Sequence, residues 1–191
     1  QGIILERGMI AVDAQIFSNI IRKLPDNDVS IETSGEKVMI NCENSKFVIL
    51  GRDGADFEFL PEVDRSVGIR LSQFTLRDMI SKTIFSISSN ESNGMMTGEL
   101  MEIIDHHIRM VALDGHRIAM RKSELKDLYD NNKVIIPGKT LNEISKILSG
   151  DTEKTADIFF TDKHVLFTFD DTIVVSRLIE GEYYKIDKML S

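Results

Sequence analysis

The 191-residue sequence contains few of the residues that mark several classes of protein. A single cysteine, Cys42, excludes a disulfide framework and a cysteine-rich metal cluster, and it suits a reducing compartment such as the cytoplasm. Proline occurs three times and tryptophan not at all, and no Pro-rich linker or low-complexity stretch is present. No apolar run approaches the ~20 residues of a membrane-spanning helix. These absences predict a globular, cytoplasmic protein without a membrane partner.

Motifs for cofactor chemistry are also missing. Neither the phosphate-binding loop nor the dinucleotide-binding glycine pattern can be written from the sequence, and no nucleophile elbow is present. The neighbouring residues His106 and His107 lie at a predicted turn, and adjacent side chains of an extended segment point apart, which is poor metal geometry. We therefore expect no cofactor and no metal site.

The charge of the chain is unevenly distributed. Lysine and arginine number 23 against 31 acidic residues, a net charge of -8 that argues at first against a nucleic-acid partner. Yet the three predicted helical segments 11–24, 70–83 and 135–148 together carry a net +4, and the rest of the chain carries -12. Basic side chains on exposed helix faces attract a polyanion without reading its bases.

Three segments share one pattern, a short apolar strand followed by an amphipathic helix. The strands are predicted at residues 9–12, 68–71 and 133–136, and the helices at residues 13–24, 72–85 and 137–148. Mostly apolar residues recur in each helix at i, i+3, i+4 and i+7, which directs one stripe toward a core. Strand-like runs follow the helices, at residues 37–42, 46–50, 98–104, 108–113, 117–121, 156–161, 164–169 and 172–179. The pattern predicts an α+β fold of β-α-β-β-β repeats.

The cluster Asp114, Gly115, His116 and Arg117 allows two interpretations. A carboxylate, an imidazole and a guanidinium together suit the acid–base chemistry of a hydrolase-type enzyme. Asp-Gly between two strands is equally typical of a turn, which would leave His116 and Arg117 at a loop edge. A third hypothesis is a scaffold that does not bind DNA, whose basic helix faces point in unrelated directions.

Four segments carry a resemblance to a known family. They are Phe17-Ser-Asn-Ile-Ile-Arg-Lys-Leu-Pro25, Gly98-Glu-Leu100, Val111-Ala-Leu-Asp-Gly-His-Arg-Ile-Ala119 and Ser176-Arg-Leu-Ile-Glu-Gly-Glu-Tyr183. In order and spacing, over essentially the whole chain, they resemble the bacterial β sliding clamps, the beta subunits of DNA polymerase III.

The resemblance implies a DNA-clamp fold, with helices on one face and antiparallel sheets on the other. It predicts that residues 1–63 are the second half of clamp domain 1 and that residues 64–191 are clamp domain 2, the central domain. The first half-domain and the third domain would be missing, so we expect a fragment whose start at Gln1 is cut.

The function implied by the resemblance is that of a non-catalytic processivity factor. Two full-length subunits would form a head-to-tail homodimer ring around double-stranded DNA, with sequence-independent contacts to the backbone. The loop 89–95 would also approach DNA. The residues implied for the inner surface are Arg22, Lys23, Arg77, Lys82, Lys139 and Lys146.

The family also implies a groove for short linear peptides of partner proteins. Its partners would be the DNA polymerase III alpha subunit, the clamp loader and other proteins with a clamp-binding motif. Tyr184 stands where the family usually has Pro, and Lys188 where Arg is common, so the rim is expected to differ in shape. Part of the groove belongs to the third domain, so we expect weak peptide binding here. The matching positions are Met96, Leu113, Gly115, His116, Arg117, Ile118, Tyr184, Lys188 and Met189.

Overall fold

The computed structural model describes residues 2–57, 61–90 and 92–189. The chain divides into two compact units, residues 1–60 and residues 61–191. Within the described ranges, no helix is both long enough and apolar enough to cross a membrane.

The first unit is one β-α-β-β-β repeat. Its antiparallel sheet has the strand order β1-β4-β3-β2. Val38, Ile40 and Cys42 alternate with less buried neighbours along β3, as expected for a strand with one covered face. The elements are β1 (Ile10–Val12), α1 (Ala14–Ile21), β2 (Ser30–Ser34), β3 (Lys37–Cys42) and β4 (Ser45–Asp53).

Helix α1 has an N-cap residue at its start, and its apolar side chains are not buried. The carboxylate of Asp13 accepts a hydrogen bond from the amide of Ile16 at 2.8 Å, which satisfies one free donor of the first turn. The helix ends at Ile21 with Arg22 as its C-cap, not at residue 24 as predicted, and Pro25 disfavours helical backbone at Leu24 itself. None of the eight described helix residues is buried, and Ile16 is 52% exposed.

The second unit contains two β-α-β-β-β repeats followed by a short helix. Single 3-10 turns occur at Ile84–Ser86 and Gly94–Thr97. Its elements are β5 (Gly68–Ser72), α2 (Gln73–Ser81), β6 (Gly98–Ile104), β7 (His107–Leu113), β8 (Ile118–Glu124), β9 (Asn132–Pro137), α3 (Gly138–Ile147), β10 (Thr155–Phe160), β11 (His164–Phe169), β12 (Thr172–Arg177) and α4 (Ile186–Met189).

The first strand of each repeat in this unit pairs with the strands of the other repeat. The two sheets have the orders β8-β7-β6-β9 and β12-β11-β10-β5, and all pairs are antiparallel. Leu71 on β5 lies opposite Ala156 on β10, and Ile135 on β9 lies opposite Leu100 on β6. This exchange joins the two repeats into one body.

The main core lies between the two helices and the two sheets. Helix α2 contributes Leu76, Met79 and Ile80, and helix α3 contributes Leu141 and Ile144, all less than 2% exposed. The sheets add apolar side chains from alternate positions of β5, β6, β7, β10 and β11. Full burial of one such side chain contributes about 1.5–3 kcal/mol.

Several predicted boundaries were wrong. Helix α2 ends at Ser81, not at residue 85, because the Thr83 backbone leaves the helical conformation, with φ -125° and ψ -37°. Strand β8 covers Ile118–Glu124 rather than 117–121. Strand β2 and helix α4 were not predicted, since β2 is exposed throughout and α4 has only four residues.

Candidate functional site

A second, smaller apolar cluster, here called the groove cluster, lies apart from the main core. Met96, Ile118 and Tyr184 pack partly buried against it, and Leu113 is one of its buried members. Four of the nine predicted groove residues are therefore brought together from three distant segments. The buried members of the groove cluster are Leu100, Val111, Leu113, Ile135, Tyr183 and Ile186.

The turn between β7 and β8 borders this cluster and is organised by Asp114. One carboxylate oxygen accepts from the amides of His116 at 3.0 Å and Arg117 at 3.2 Å. The other accepts from Nε of Arg117 at 2.8 Å. The hydrogen bond from the His116 amide, more than the Arg117 side chain, lowers the pKa of Asp114. Gly115 has a φ of +88°, a conformation that side chains rarely adopt.

The hydrogen bonds of Asp114 give this residue a structural role in the turn. Its carboxylate bonds to the backbone of His116, whose side chain is exposed, rather than to the imidazole. A general base in a catalytic cluster would instead be oriented through a ring nitrogen. The hydrolase hypothesis is not supported.

Helix α4 is fastened to the sheet by Arg109. Nη1 of Arg109 donates to Asp187 at 2.7 Å, and Nε of Arg109 bonds to Glu102 on the neighbouring strand. The hydrogen bond from Arg109 lowers the pKa of Asp187, and the hydrogen bond to Asp187 raises that of Arg109. Glu102 lies opposite Arg109 in the β6–β7 register. This pairing orders the segment that carries three predicted groove residues.

The remaining predicted groove residues lie on α4. Lys188 lines a cavity of about 320 Å³ together with Tyr184, Arg109 and Asp187. Met189, at the end of the helix, is 56% exposed. The structure thus places Tyr184 on the groove cluster, Lys188 beside it and Met189 at the surface.

The predicted DNA-facing residues are all exposed, but they differ in pairing. Lys82 lies 2.8 Å from Asp78, and Lys146 lies 2.7 Å from Glu143. Among the described residues, Arg77 on α2 and Lys139 on α3 have no carboxylate partner. Lys139 is the second residue of α3, whose N-cap position is Pro137 and has no side-chain cap.

Arg22 and Lys23 follow the last turn of α1. Arg22 is the C-cap residue, and its amide donates to the carbonyl of Ser18. Both side chains are exposed. The basic end of α1 is therefore accessible in the first unit.

Glu99 on β6 is a buried carboxyl group that the sequence did not single out. It is fully buried, and Oε2 accepts a hydrogen bond from the Thr83 hydroxyl at 2.6 Å. Burial raises the pKa of Glu99 to about 7, against the opposing effect of this hydrogen bond. Among the described residues, Oε1 of Glu99 and Oγ of Ser86 are buried without a hydrogen-bond partner.

The histidine pair differs from its prediction. The rings of His106 and His107 lie 4.2 Å apart at 40° rather than pointing apart, since His106 belongs to the turn before β7 and not to an extended segment. In the described part of the chain, no group of three His, Cys, Asp or Glu side chains is arranged to hold a metal.

Several site residues were missed from the sequence for physical reasons. The Glu102–Arg109 pair could have been predicted, because a turn at Asp105-His106 sets the two residues opposite each other. The contact between Asn93 and Tyr184 has no local signal, because 91 residues separate its partners.

Comparison with known proteins defines the class. Residues 70–185 match the family model of the DNA polymerase III beta subunit, central domain, and residues 3–61 match that of its N-terminal domain. The chain therefore belongs to the DNA polymerase III beta subunit family, as its motifs predicted.

Individual relatives agree with this assignment. The beta sliding clamp of Staphylococcus aureus strain Mu50 is 38% identical over 181 residues, which are 94% of this chain and 48% of that protein. A DNA polymerase III beta subunit structure from Eubacterium rectale is 56% identical with a TM-score of 0.94, covering 100% of this chain and 53% of the other. The Bacillus subtilis DNA polymerase sliding clamp is 31% identical with a TM-score of 0.88, covering 94% and 48%. The α+β DNA-clamp fold is confirmed, and the chain spans about half the length of these relatives.

Proposed function

We propose that this chain is part of a sliding clamp, a processivity factor that encircles double-stranded DNA and tethers a replicative polymerase. The acting form would be a homodimer ring of longer chains in the cytoplasm. It would have no catalytic role and no cofactor of its own. Family membership supports this proposal, together with the geometry of the groove cluster.

The two compact units support a division into clamp domains. Residues 1–63 would be the second half of domain 1, and residues 64–191 the central domain. In the second unit, each repeat buries its helix against a partner repeat, whereas α1 has no buried residue. An amphipathic helix with an exposed apolar stripe would pack against the first half of domain 1 in a longer chain.

The exposed basic residues of the helices would form the inner surface of the ring. Arg22, Lys23, Arg77, Lys82, Lys139 and Lys146 would contact phosphates without reading bases. The loop 89–95 would lie near the same DNA. Retention of such a ring depends on topology, so a few weak contacts suffice.

The groove cluster would bind linear peptides of partners such as the polymerase alpha subunit and the clamp loader. The observation that carries this proposal is the convergence of Met96, Leu113, Ile118 and Tyr184 on one apolar cluster outside the main core. An exposed turn at Gly115, His116 and Arg117 borders it. Apolar anchors with a polar rim are the usual chemistry of peptide capture. Lys188 and Met189 would complete the rim.

The test is a calorimetric titration with a synthetic peptide that carries leucine and phenylalanine anchors. Met96→Lys introduces a charge beside the apolar cluster and is expected to weaken binding at least about tenfold, the effect of losing one anchor contact. Ile173→Lys, at an exposed apolar residue of β12, is the matched control and should leave affinity unchanged. Equal affinities for all three chains would contradict the groove.

A further inference from the structure

The segment before β6 connects two predicted walls of the groove through one residue, Asn93. Its side-chain Nδ2 donates a hydrogen bond to the phenol oxygen of Tyr184 at 3.0 Å. Its backbone carbonyl accepts a hydrogen bond from the amide of Met96, also at 3.0 Å. Met96 and Tyr184 both pack against the groove cluster. One residue is therefore bonded to both of them.

The Tyr184 side chain is held at both of its ends. Its ring meets the buried ring of Tyr183 edge-on, with centroids 5.8 Å apart at 81°. Its hydroxyl is bonded to Asn93, and both residues are half-buried. A side chain ordered before a ligand arrives loses less conformational freedom on binding, which favours affinity.

We propose that Asn93 is a positioning residue of the peptide groove, which holds Met96 and Tyr184 at the spacing that an apolar peptide anchor needs. The inference rests on the proposed function. It is specific to a chain with tyrosine at position 184, because proline, usual in the family at that place, has no hydroxyl group to bond. The ligand class is an extended peptide with leucine or phenylalanine anchors.

The hydrogen bond can be removed without disturbing the main core. Asn93, Tyr184 and Met96 all lie outside that core. Loss of the bond is therefore expected to change the groove while the packing of the main core stays the same.

The experiment uses the 191-residue chain with 13C-labelled methionine methyl groups, titrated by NMR with the anchor peptide. The variants are Asn93→Ala, Tyr184→Phe and the double variant. Asn131→Ala and Tyr129→Phe are matched controls, since Asn131 accepts from the amide of Asp105 and Tyr129 from that of Arg70, both away from the groove cluster.

Each groove variant is expected to shift the Met96 methyl resonance and to weaken peptide binding about threefold to tenfold, the usual effect of one hydrogen bond. The double variant should be no weaker than either single one, because both substitutions remove the same bond. The controls should bind the peptide as the unsubstituted chain does, and the Met96 methyl resonance should stay in place in both of them.

Additive losses in the double variant, or an unchanged Met96 resonance together with unchanged affinity, would overturn the role of Asn93. Failure of the proposed function gives a different result. The unsubstituted chain would then not bind the peptide at all, although Asn93→Ala and Tyr184→Phe still shift the Met96 resonance. That outcome overturns the groove itself, and with it the positioning role.

Discussion

At the scale of single residues, Glu99 has an unusual environment for a carboxyl group. It lies on β6, fully buried, with one hydrogen bond from Thr83 and an unpartnered Oε1 among the described residues. An ionised carboxylate in such a place lacks the hydration it has in the unfolded chain. The folded protein therefore binds a proton here more tightly than the unfolded chain does.

The raised pKa of Glu99 predicts a pH dependence of stability. The pKa is about 7 in the folded protein and near 4.5 in the unfolded chain, so the free energy of unfolding falls as pH rises from about 4.5 to 7. The loss amounts to roughly 3 kcal/mol. A glutamine side chain at position 99 cannot ionise, so Glu99→Gln is expected to remove this loss of stability. Urea unfolding at pH 5 and pH 8 measures the difference.

Glu143→Gln is the control for this measurement, since Glu143 is exposed and should leave the pH dependence of the parent chain in place. If Glu99→Gln lost as much stability between pH 5 and pH 8 as the parent, Glu99 would not be the titrating group.

At the scale of secondary-structure elements, helix α4 has too few residues to be stable by itself. Isolated helices shorter than about 12 residues are marginal in water. Helix α4 is stabilised instead by tertiary contacts. Asp187 pairs with Arg109, and Arg109 pairs with Glu102 on the sheet. Ile186 is buried in the groove cluster and anchors the same segment.

Removing the two ends of this contact should have different effects. Arg109→Gln leaves the mostly buried Glu102 without its cation and is expected to lower the free energy of unfolding by about 1–3 kcal/mol. Asp187→Asn removes only an exposed partner, so global stability should hardly change. In both variants the amides of Ile186 and Lys188 should exchange faster, as measured by hydrogen exchange. Equal losses in the free energy of unfolding for the two variants would contradict the prediction that an unpaired Glu102 causes the larger loss.

At the scale of the whole molecule, charge is divided between the helices and the remaining chain. The net charge of -8 conceals helical segments that carry +4. The structure refines this further, because Asp78 and Glu143 already bind two of the predicted cations. Among the described residues, Arg22, Lys23, Arg77 and Lys139 remain the strongest candidates for phosphate contacts, since none of them must first leave a carboxylate.

Duplex binding should therefore depend on Lys139 more than on cations elsewhere. Lys139→Ala is expected to weaken binding to a short duplex and to reduce the slope of log affinity against log salt by about 1. Lys122→Ala, on strand β8, changes the net charge equally and serves as the control. Fluorescence anisotropy over a salt series measures both, and equal effects would contradict a specific role for Lys139.

Much of the fold is predictable because its signals are local. Asp13 and Ser72 cap their helices as their positions suggest, and the alternation in Val165, Phe167 and Phe169 predicts the inward face of β11. The stretch Ser30–Ser34 escaped prediction, since an exposed strand needs no apolar alternation. The candidate groove residues were predicted through family motifs, whereas the convergence of Met96, Leu113, Ile118 and Tyr184 on one cluster depends on long-range packing.

The sequence by itself determined the three repeats, the helix starts, the turn at Asp114-Gly115 and the concentration of basic residues on the helices. These features depend on neighbours within one helical turn or one hairpin. Only the tertiary structure decided that β5 pairs with β10 and β9 with β6, and that Asn93 bonds to Tyr184. Any exposed strand edge can pair with another, so packing of the whole unit selects the partner.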